Sequence, residues 1–305
     1  MDVSALLRGF SKALYSNWLV YKPDNLLVDC GEGAATTLGN NGYAIERVLL
    51  THGHLDHIAG LPSLIWSRAA GMGDNNKPLQ IFHPRGDDYV ADMRAYLQKT
   101  RARLPFELTW TALDAGDEIS LIGGERHARR TEAFATQHIP AKLTLGYKIL
   151  ETRRRLKPEF ADLAQEKLRE LAQSGADLSE NYDAILVAFG GDGIALNPDD
   201  VRGAEILIHE ATILDAGERK HQLHATLDEA VKCARDANVK TLLLNHVSGR
   251  YRAAEVKDAA RQSAARHNVD FPIWCLLRDR LQNMVPARNQ AENQAEHDAK
   301  ILCEA

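Results

Sequence analysis

Four side chains that can bind a metal ion stand within six positions, directly after a short apolar run at residues 48–51. They are His52, His54, Asp56 and His57. The apolar run predicts a strand, and alternate residues of an extended segment point the same way, so His52 and His54 can share one ion. Asp56 and His57, beyond the turn, can reach a second ion. We therefore expect a centre that holds two divalent metal ions.

Three later residues are further candidate ligands. His138 precedes a proline, Asp192 lies between glycines, and His246 follows the apolar run 241–244. Taken alone, Asp192 could be an ordinary turn residue and His246 a packed core histidine. Imidazole and carboxylate donors without thiolate suit zinc best, and they are compatible with manganese or iron.

Short apolar segments rich in β-branched and aromatic residues recur along the chain and predict strands. They lie at 17–21, 26–28, 48–51, 79–82, 106–113, 145–150, 184–189, 205–208, 241–244 and 271–277. Apolar spacing typical of one buried helix face predicts helices at 58–70, 87–99, 158–173, 227–236 and 253–266. Helices on the faces of sheets indicate a layered α/β protein.

The segment 151–180 stands apart because it is rich in arginine. Three arginines at 153–155 and Lys157 precede Pro158, which suits the first turn of a helix, and Gly175 can end that helix. Either the segment is a solvated helix that packs one side on the core, or it is a basic arm that follows a phosphate backbone. Interleaved acidic residues weaken the second interpretation.

The overall composition is that of an ordinary globular protein. The 305 residues include 37 Lys and Arg and 42 Asp and Glu, a formal net charge of −5, so any basic patch for nucleic acid must be local. Four cysteines without short spacing argue against a disulfide scaffold and favour a reducing compartment.

No signal or membrane-spanning segment is evident, so we expect a cytoplasmic protein. We predict one domain over 1–285 and a polar tail at 286–305.

The motif THGHLDH at 51–57 matches the signature of the metallo-β-lactamase fold, and later motifs resemble its ribonuclease Z branch. These are LLVDCGEG, TQHIPAKLTLGYKI, FGGDGIALNPDD, ILIHEATIL and LLLNHVSGRY, and they span nearly the whole chain. The resemblance implies a four-layer αββα sandwich, with a helical insertion near residues 151–180.

The resemblance also implies how the candidate ligands are shared between two ions. One ion would be held by His52, His54 and His138 and the other by Asp56, His57 and His246, with Asp192 as the bridge. Such a centre would use a metal-bridging hydroxide as nucleophile and would bind an oxyanion of the substrate. Asp56 thereby counts among the catalytic residues as well.

Further site residues follow from the resemblance. His224, held by Glu210, is implied as the proton donor to the departing alkoxide. Arg250 could bind a phosphate oxygen, with a structural ion pair as the open alternative, and Ser248 is a second substrate-binding candidate. The implied protein is a two-zinc phosphodiesterase or endoribonuclease that removes 3′ trailers from precursor tRNA, as a homodimer.

Three departures from the family pattern leave the substrate open. Gly193 stands where the family has threonine, Ala225 replaces a serine, and the interval 138–192 lacks the glycine- and proline-rich arm of tRNA-processing enzymes. One alternative is hydrolysis of a small phosphodiester or a lactone, since a fold does not fix a function. Another is a catalytically silent relative that binds RNA or a partner. Retention of all seven ligand positions argues against the silent relative, and His224 favours a phosphodiester.

Overall fold

Two β-sheets form the centre of the structure, a computed structural model that describes residues 2–71, 77–100, 103–121, 128–219 and 221–287. The strands of the first sheet, in spatial order, are β1 (Leu7–Lys12), β2 (Ser16–Tyr21), β3 (Leu26–Val28), β4 (Arg47–Leu49), β5 (Leu79–Pro84) and β6 (Leu108–Leu113). Strands β1 to β3 pair antiparallel, whereas β3 to β6 pair in parallel.

Within the described residues, the second sheet has eight strands. They are β7 (Glu118–Ser120), β8 (Arg129–Thr136), β9 (Thr144–Leu156), β10 (Ser179–Phe189), β11 (Ile206–Glu210), β12 (Leu242–Asn245), β13 (Ile273–Leu277) and β14 (Arg280–Val285), each beside the next. The parallel part runs from β10 to β13. Every residue of β11 and β12 is buried, as expected for parallel strands that are covered on both faces.

Helices lie between many of the strands along the chain. They are α1 (Val3–Leu6), α2 (Ala34–Leu38), α3 (Leu55–Ile58), α4 (Leu61–Gly71), α5 (Asp88–Thr100), α6 (Gln165–Gln173), α7 (Leu227–Asp236) and α8 (Ala253–Arg266). Helix α7 begins where Thr226 and Glu229 form a capping box, in which each side chain binds the backbone N–H of the other residue. Its buried residues Ala230, Val231 and Ala234 lie on one face.

Three apolar clusters show the order of the layers. Inward residues of both sheets, among them Val28 and Leu49 of the first and Val187 and Leu243 of the second, pack together. Outward residues of the first sheet pack on α4 and α5, and outward residues of the second sheet pack on α7 and α8. Two sheets between two helical layers are the predicted four-layer αββα sandwich.

The helix predicted at 58–70 is interrupted. Helix α3 ends at Ile58 and α4 begins at Leu61, with Gly60 between them. A Cβ on Gly60 would lie 2.1 Å from the carbonyl oxygen of Gly31, so only glycine lets the two segments approach this closely. The break separates the short helix that carries Asp56 and His57 from the longer one.

The prediction of a helical segment over 151–180 is wrong for much of its length. Strand β9 continues to Leu156 and β10 begins at Ser179, so the three arginines at 153–155 lie on a strand. Arg155 pairs in register with Glu180, and their side chains form an ion pair. This cross-strand pairing extends the hairpin, and only α6 and a short 3₁₀ turn at Pro158–Phe160 are helical.

The C-terminal segment and the predicted lack of a membrane-spanning helix can be compared with the structure. Of the polar tail predicted at 286–305, residues 288–305 lie outside the described residues. Within the described ranges, no helix combines the length and the apolar character that a membrane span requires.

Candidate metal centre

The candidate ligands come from loops at strand ends. His52 and His54 follow β4, and Asp56 and His57 lie in α3 directly afterwards. Among the others, His138 lies between β8 and β9, Asp192 follows β10, and His246 follows β12. Because β4 belongs to the first sheet and β10 and β12 to the second, the packing of the two sheets brings these loops together.

The seven side chains form a continuous cluster. The ligating atoms of His52, His54 and His138 lie within 4.8 Å of one another, and so do those of Asp56, His57 and His246. Asp192 Oδ2 lies 3.2 Å from His57 Nε2 and 3.0 Å from His246 Nε2, and Asp192 also groups with His52. The arrangement is two three-residue groups with Asp192 between them.

Buried polar atoms without partners test whether the cluster suits metal ions. His52 Nε2 and Asp192 Oδ1 are both buried and have no hydrogen-bond partner among the described residues. Such an atom is costly to bury unless something else satisfies it. A divalent cation with imidazole and carboxylate ligands satisfies both atoms, so the residues present fit a metal centre.

The charges of the cluster are set by burial and by the neighbouring rings. Burial would raise the pKa of Asp192, but His246 and His57 outweigh it and hold that pKa well below its usual value. Burial lowers the pKa of His52 well below its usual value. An ionised carboxylate and a neutral imidazole are the forms that bind a metal ion.

The other ring nitrogen of several histidines is held by a neighbour. Asp29 Oδ2 lies 2.7 Å from His57 Nδ1, the Leu223 carbonyl 2.9 Å from His138 Nδ1, and Thr212 Oγ1 2.8 Å from His246 Nδ1. Such partners fix the tautomer and the orientation of a ligating ring. Of these three partners, none is among the predicted site residues.

Asp29 has a further anchoring role. Its carboxylate accepts hydrogen bonds from the backbone N–H of Thr51, at 2.8 Å, and from the Thr51 hydroxyl. The residue is buried and its backbone lies in the left-handed region, with φ of 56°. The only sequence signal for Asp29 is its position in the motif LLVDCGEG, directly after β3.

His224 and Glu210 form a pair beside the cluster. His224 Nδ1 lies 2.8 Å from Glu210 Oε1, and the Glu210 side chain is buried. Burial opposes the protonation of His224, but the hydrogen bond to Glu210 outweighs it and raises the pKa of His224. The His224 ring stacks on the His246 ring with centroids 5.5 Å apart. A histidine with a raised pKa therefore lies against a candidate metal ligand.

Gly193, the departure from the family pattern, has a structural reason. Its backbone N–H donates to Glu210 Oε1 at 2.8 Å, and its φ is 150°. A Cβ at this position would lie 2.5 Å from the Gln137 carbonyl oxygen. Threonine does not fit this conformation, and the glycine instead supplies a hydrogen bond to the carboxylate that holds His224.

The structure places the two substrate-binding candidates in a cleft beside His246. Arg250 Nη2 lies 2.6 Å from Glu218 Oε2, so its side chain makes the ion pair that sequence reasoning left open. Ser248 donates its backbone N–H to the Thr212 carbonyl at 3.2 Å. Neither contact by itself indicates a substrate.

The chain is similar to known proteins in its sequence. A family model described as anti-Pycsar protein Apyc1 matches residues 8–157. The chain is 31% identical to a ribonuclease Z of Bradyrhizobium sp. (strain ORS 278), covering 81% of this chain and 88% of that protein. It is 29% identical to a ribonuclease Z of Methanopyrus kandleri, with 84% and 86% covered. It is also 30% identical to the chloroplastic tRNase Z TRZ2 of Arabidopsis thaliana, but spans only 60% of that protein's length.

Solved structures share the fold. The metallo-β-lactamase fold protein YhfI of Bacillus subtilis superposes with a TM-score of 0.59 at 15% identity, covering 91% of this chain and 99% of that chain. The short form of human tRNase Z superposes with a TM-score of 0.57 at 22% identity, covering 80% and 93%. At these identities the likeness concerns the architecture, which is that of the metallo-β-lactamase fold.

Proposed function

The chain belongs to the ribonuclease Z family of metal-dependent hydrolases, and from this premise we propose that it cleaves phosphodiester bonds in RNA, with the 3′ trailer of precursor tRNA as substrate. The observation that carries the proposal is the Glu210–His224 pair against the seven candidate ligands. A metal centre alone suits many hydrolyses. A proton donor beside it suits a reaction whose leaving group is a poorly stabilised alkoxide.

We assign one ion to His52, His54 and His138 and the second to Asp56, His57 and His246, with Asp192 between the two. The nitrogen-rich donor set favours zinc, and manganese or iron are compatible. When bound, two divalent ions activate water as a nucleophile near neutral pH and stabilise the charge that develops on a phosphate oxygen.

The role of His224 follows from which of its nitrogens is occupied. Glu210 binds Nδ1, which leaves Nε2 as the nitrogen that can serve the substrate. With its pKa raised, the ring carries a proton that Nε2 can transfer to the departing ribose oxygen. Glu210 is itself held by the Gly193 N–H and by the backbone N–H and hydroxyl of Thr212, so the proton donor has a fixed position.

A groove on the other side of the centre supports a nucleotide substrate. It begins at His54 and is lined by Leu55, Met93 and Tyr89. The Tyr89 ring is half exposed, and its centroid lies 6.1 Å from that of His54. An exposed aromatic ring next to the reacting centre can stack on a nucleobase, which a lactone does not offer.

A second candidate is hydrolysis of a small phosphodiester. The observation that favours it is the state of the arginine-rich hairpin: Arg153 pairs with Glu151 and Glu205, and Arg155 pairs with Glu180. Arginines already paired with carboxylates offer little charge for the elbow of a tRNA.

Assembly and location belong to the proposal as well. We infer a homodimer that acts on cytoplasmic RNA, on the strength of the family membership alone. Sedimentation velocity of the purified protein tests the dimer, and fractionation of cells that express the tagged protein tests the location.

The deciding experiment offers two substrates to zinc-loaded protein: a precursor tRNA with a 3′ trailer, and bis(p-nitrophenyl) phosphate. Asp192→Ala is the inactive variant, and Asp199→Ala, which removes an exposed carboxylate nearby, is the matched control. We expect cleavage at one site, lost only in Asp192→Ala. Hydrolysis of the small diester with intact precursor tRNA would instead establish the second candidate.

A further inference from the structure

A cleft of about 530 Å³ on the His246 side of the centre gathers an excess of positive charge. Its charged lining residues are Lys12, Arg250, Arg252, Arg278, Arg280 and Asp279. Five cations and one carboxylate line this cleft, although the chain as a whole carries a net charge of −5. A local concentration of positive charge on a chain with a negative net charge attracts an anionic ligand to the cleft.

Most of this positive charge is unpaired. Arg250 is neutralised by Glu218, but Arg252, Arg278 and Arg280 make no ion pair with any carboxylate that the structure describes. All three of these arginines are exposed. They differ in this respect from Arg153 and Arg155 of the hairpin, which are paired with acids.

The cleft is connected directly to the candidate metal ligands. The backbone N–H of His246 donates to Ser11 Oγ at 2.6 Å, and the backbones of Ser11 and Arg278 exchange hydrogen bonds at 2.9 and 3.0 Å. The backbone N–H of Leu14 donates to Asp56 Oδ2 at 3.0 Å. The segments that line the cleft are therefore bonded to the residues that carry the candidate ligands His246 and Asp56.

Lys12 is held in place at the edge of the cleft. Its ammonium lies 3.5 Å from the centroid of the Tyr15 ring, a cation–π contact. Its Cε lies beside Gly249, 2.6 Å from where a Cβ of that residue would be. These contacts place the ammonium at the edge of the cleft.

We propose that this cleft binds the phosphate backbone of the RNA on the His246 side of the cleaved bond. The inference rests on the proposed function, because a small diester with a single charge cannot engage several cations at once. Arginine binds a phosphate through two parallel hydrogen bonds, and successive phosphates can each meet one side chain. The cleft then supplies substrate affinity that the hairpin, with its paired arginines, does not.

The test measures binding of precursor tRNA to the zinc-loaded full chain by fluorescence anisotropy over a series of salt concentrations. A non-hydrolysable linkage at the cleavage site of the RNA prevents turnover. The test variant is Arg252→Gln, Arg278→Gln and Arg280→Gln together. The control variant, Arg202→Gln, Lys232→Gln and Lys240→Gln, removes the same charge at side chains that pair with acids elsewhere. The corresponding triple Arg→Lys variant keeps the charge of the cleft.

We expect the test variant to raise Kd about tenfold or more and to reduce the slope of log Kd against log salt by roughly 2 to 3, at about 0.7–0.9 per lost phosphate contact. The control variant should bind like the wild type, and the Arg→Lys variant should keep most of the slope. Equal Kd values for test variant and wild type, or an equal loss in the control, would overturn the inference.

Two further outcomes separate this inference from its premise. If the wild type fails to cleave RNA but the three substitutions still weaken RNA binding, the proposed function is wrong and the inference that the cleft binds RNA stands. If the wild type and the test variant cleave precursor tRNA with the same KM, the proposed function stands and the inference that the cleft binds RNA is wrong. Displacement of the RNA by poly-glutamate as readily as by poly(U) would assign the cleft to an acidic protein and overturn the inference.

Discussion

The carboxylate of Asp29 lies 2.7 Å from Nδ1 of His57, and both side chains are buried. The same carboxylate binds the Thr51 N–H and hydroxyl, so it joins the end of the β4 segment to the helix that carries Asp56 and His57. Asp29 thereby orients the His57 ring for the ion that we assign to it and sets the position of the loop before it.

Replacement of Asp29 should therefore weaken metal binding without removing a ligand. We expect Asp29→Asn to lower metal affinity, and with it activity at limiting zinc, by about 10- to 100-fold, the usual effect of losing such a partner. Competition with a coloured chelator measures the affinity. Asp162→Asn, which changes an exposed carboxylate on the hairpin, is the control. Unchanged zinc affinity in Asp29→Asn would contradict this role.

The leaving group should decide how much His224 matters. We expect His224→Ala to lower kcat on precursor tRNA by about 10²- to 10⁴-fold, because the departing ribose oxygen then lacks a proton donor. The loss on bis(p-nitrophenyl) phosphate should be much smaller, since p-nitrophenolate leaves without protonation. His221→Ala, an exposed histidine three positions earlier, is the control. Equal losses on both substrates would argue for a structural role instead.

Removal of metal should lower stability as well as activity. Without ions, His52 Nε2 and Asp192 Oδ1 remain buried and unsatisfied. Each ion present at 100 times its Kd adds about 2.7 kcal/mol to the free energy of unfolding. We expect dialysis against EDTA to lower Tm by several degrees and to abolish hydrolysis, and zinc to restore both. If neither EDTA nor added zinc changes Tm, no ion binds the folded chain.

One buried arginine holds the segments that precede β4 and β5. Arg68 of α4 is fully buried, and its guanidinium donates to the carbonyls of Gly42, Tyr43, Ile45 and Lys77 at 2.6 to 3.1 Å. Among the amino acids, only arginine has a side chain with five hydrogen-bond donors in one rigid plane.

We expect Arg68→Met to lower the free energy of unfolding by about 3 kcal/mol or more, because several buried carbonyls lose their partner. Arg68→Lys should restore only part of this, since an ammonium has three donors. Urea denaturation measures both, with Arg94→Met on the exposed side of α5 as the control. A loss below about 1 kcal/mol would mean that water replaces the guanidinium.

The sequence predicted the elements whose signals are local. Helices α7 and α8 have the predicted bounds, because apolar spacing and a capping box lie within the helices themselves. The dense motif at 51–57 likewise predicted a metal centre from adjacent residues. Strands such as β1 and β8 were missed because their half-buried faces mix charged and apolar residues, and the pattern alone did not distinguish them from loops.

Contacts between residues far apart in the chain depend on the folded arrangement. Asp29 reaches His57 because β3 pairs with β4, and the arginines at 153–155 lie on a strand because β9 finds cross-strand partners in β10. The basic cleft combines Lys12 with Arg280, from opposite ends of the described chain. The order of residues was enough to predict the local segments and the types of side chain at the centre. Strand pairing and the packing of two sheets determined which side chains share a site, because those contacts depend on chain geometry across hundreds of residues and not on neighbours in sequence.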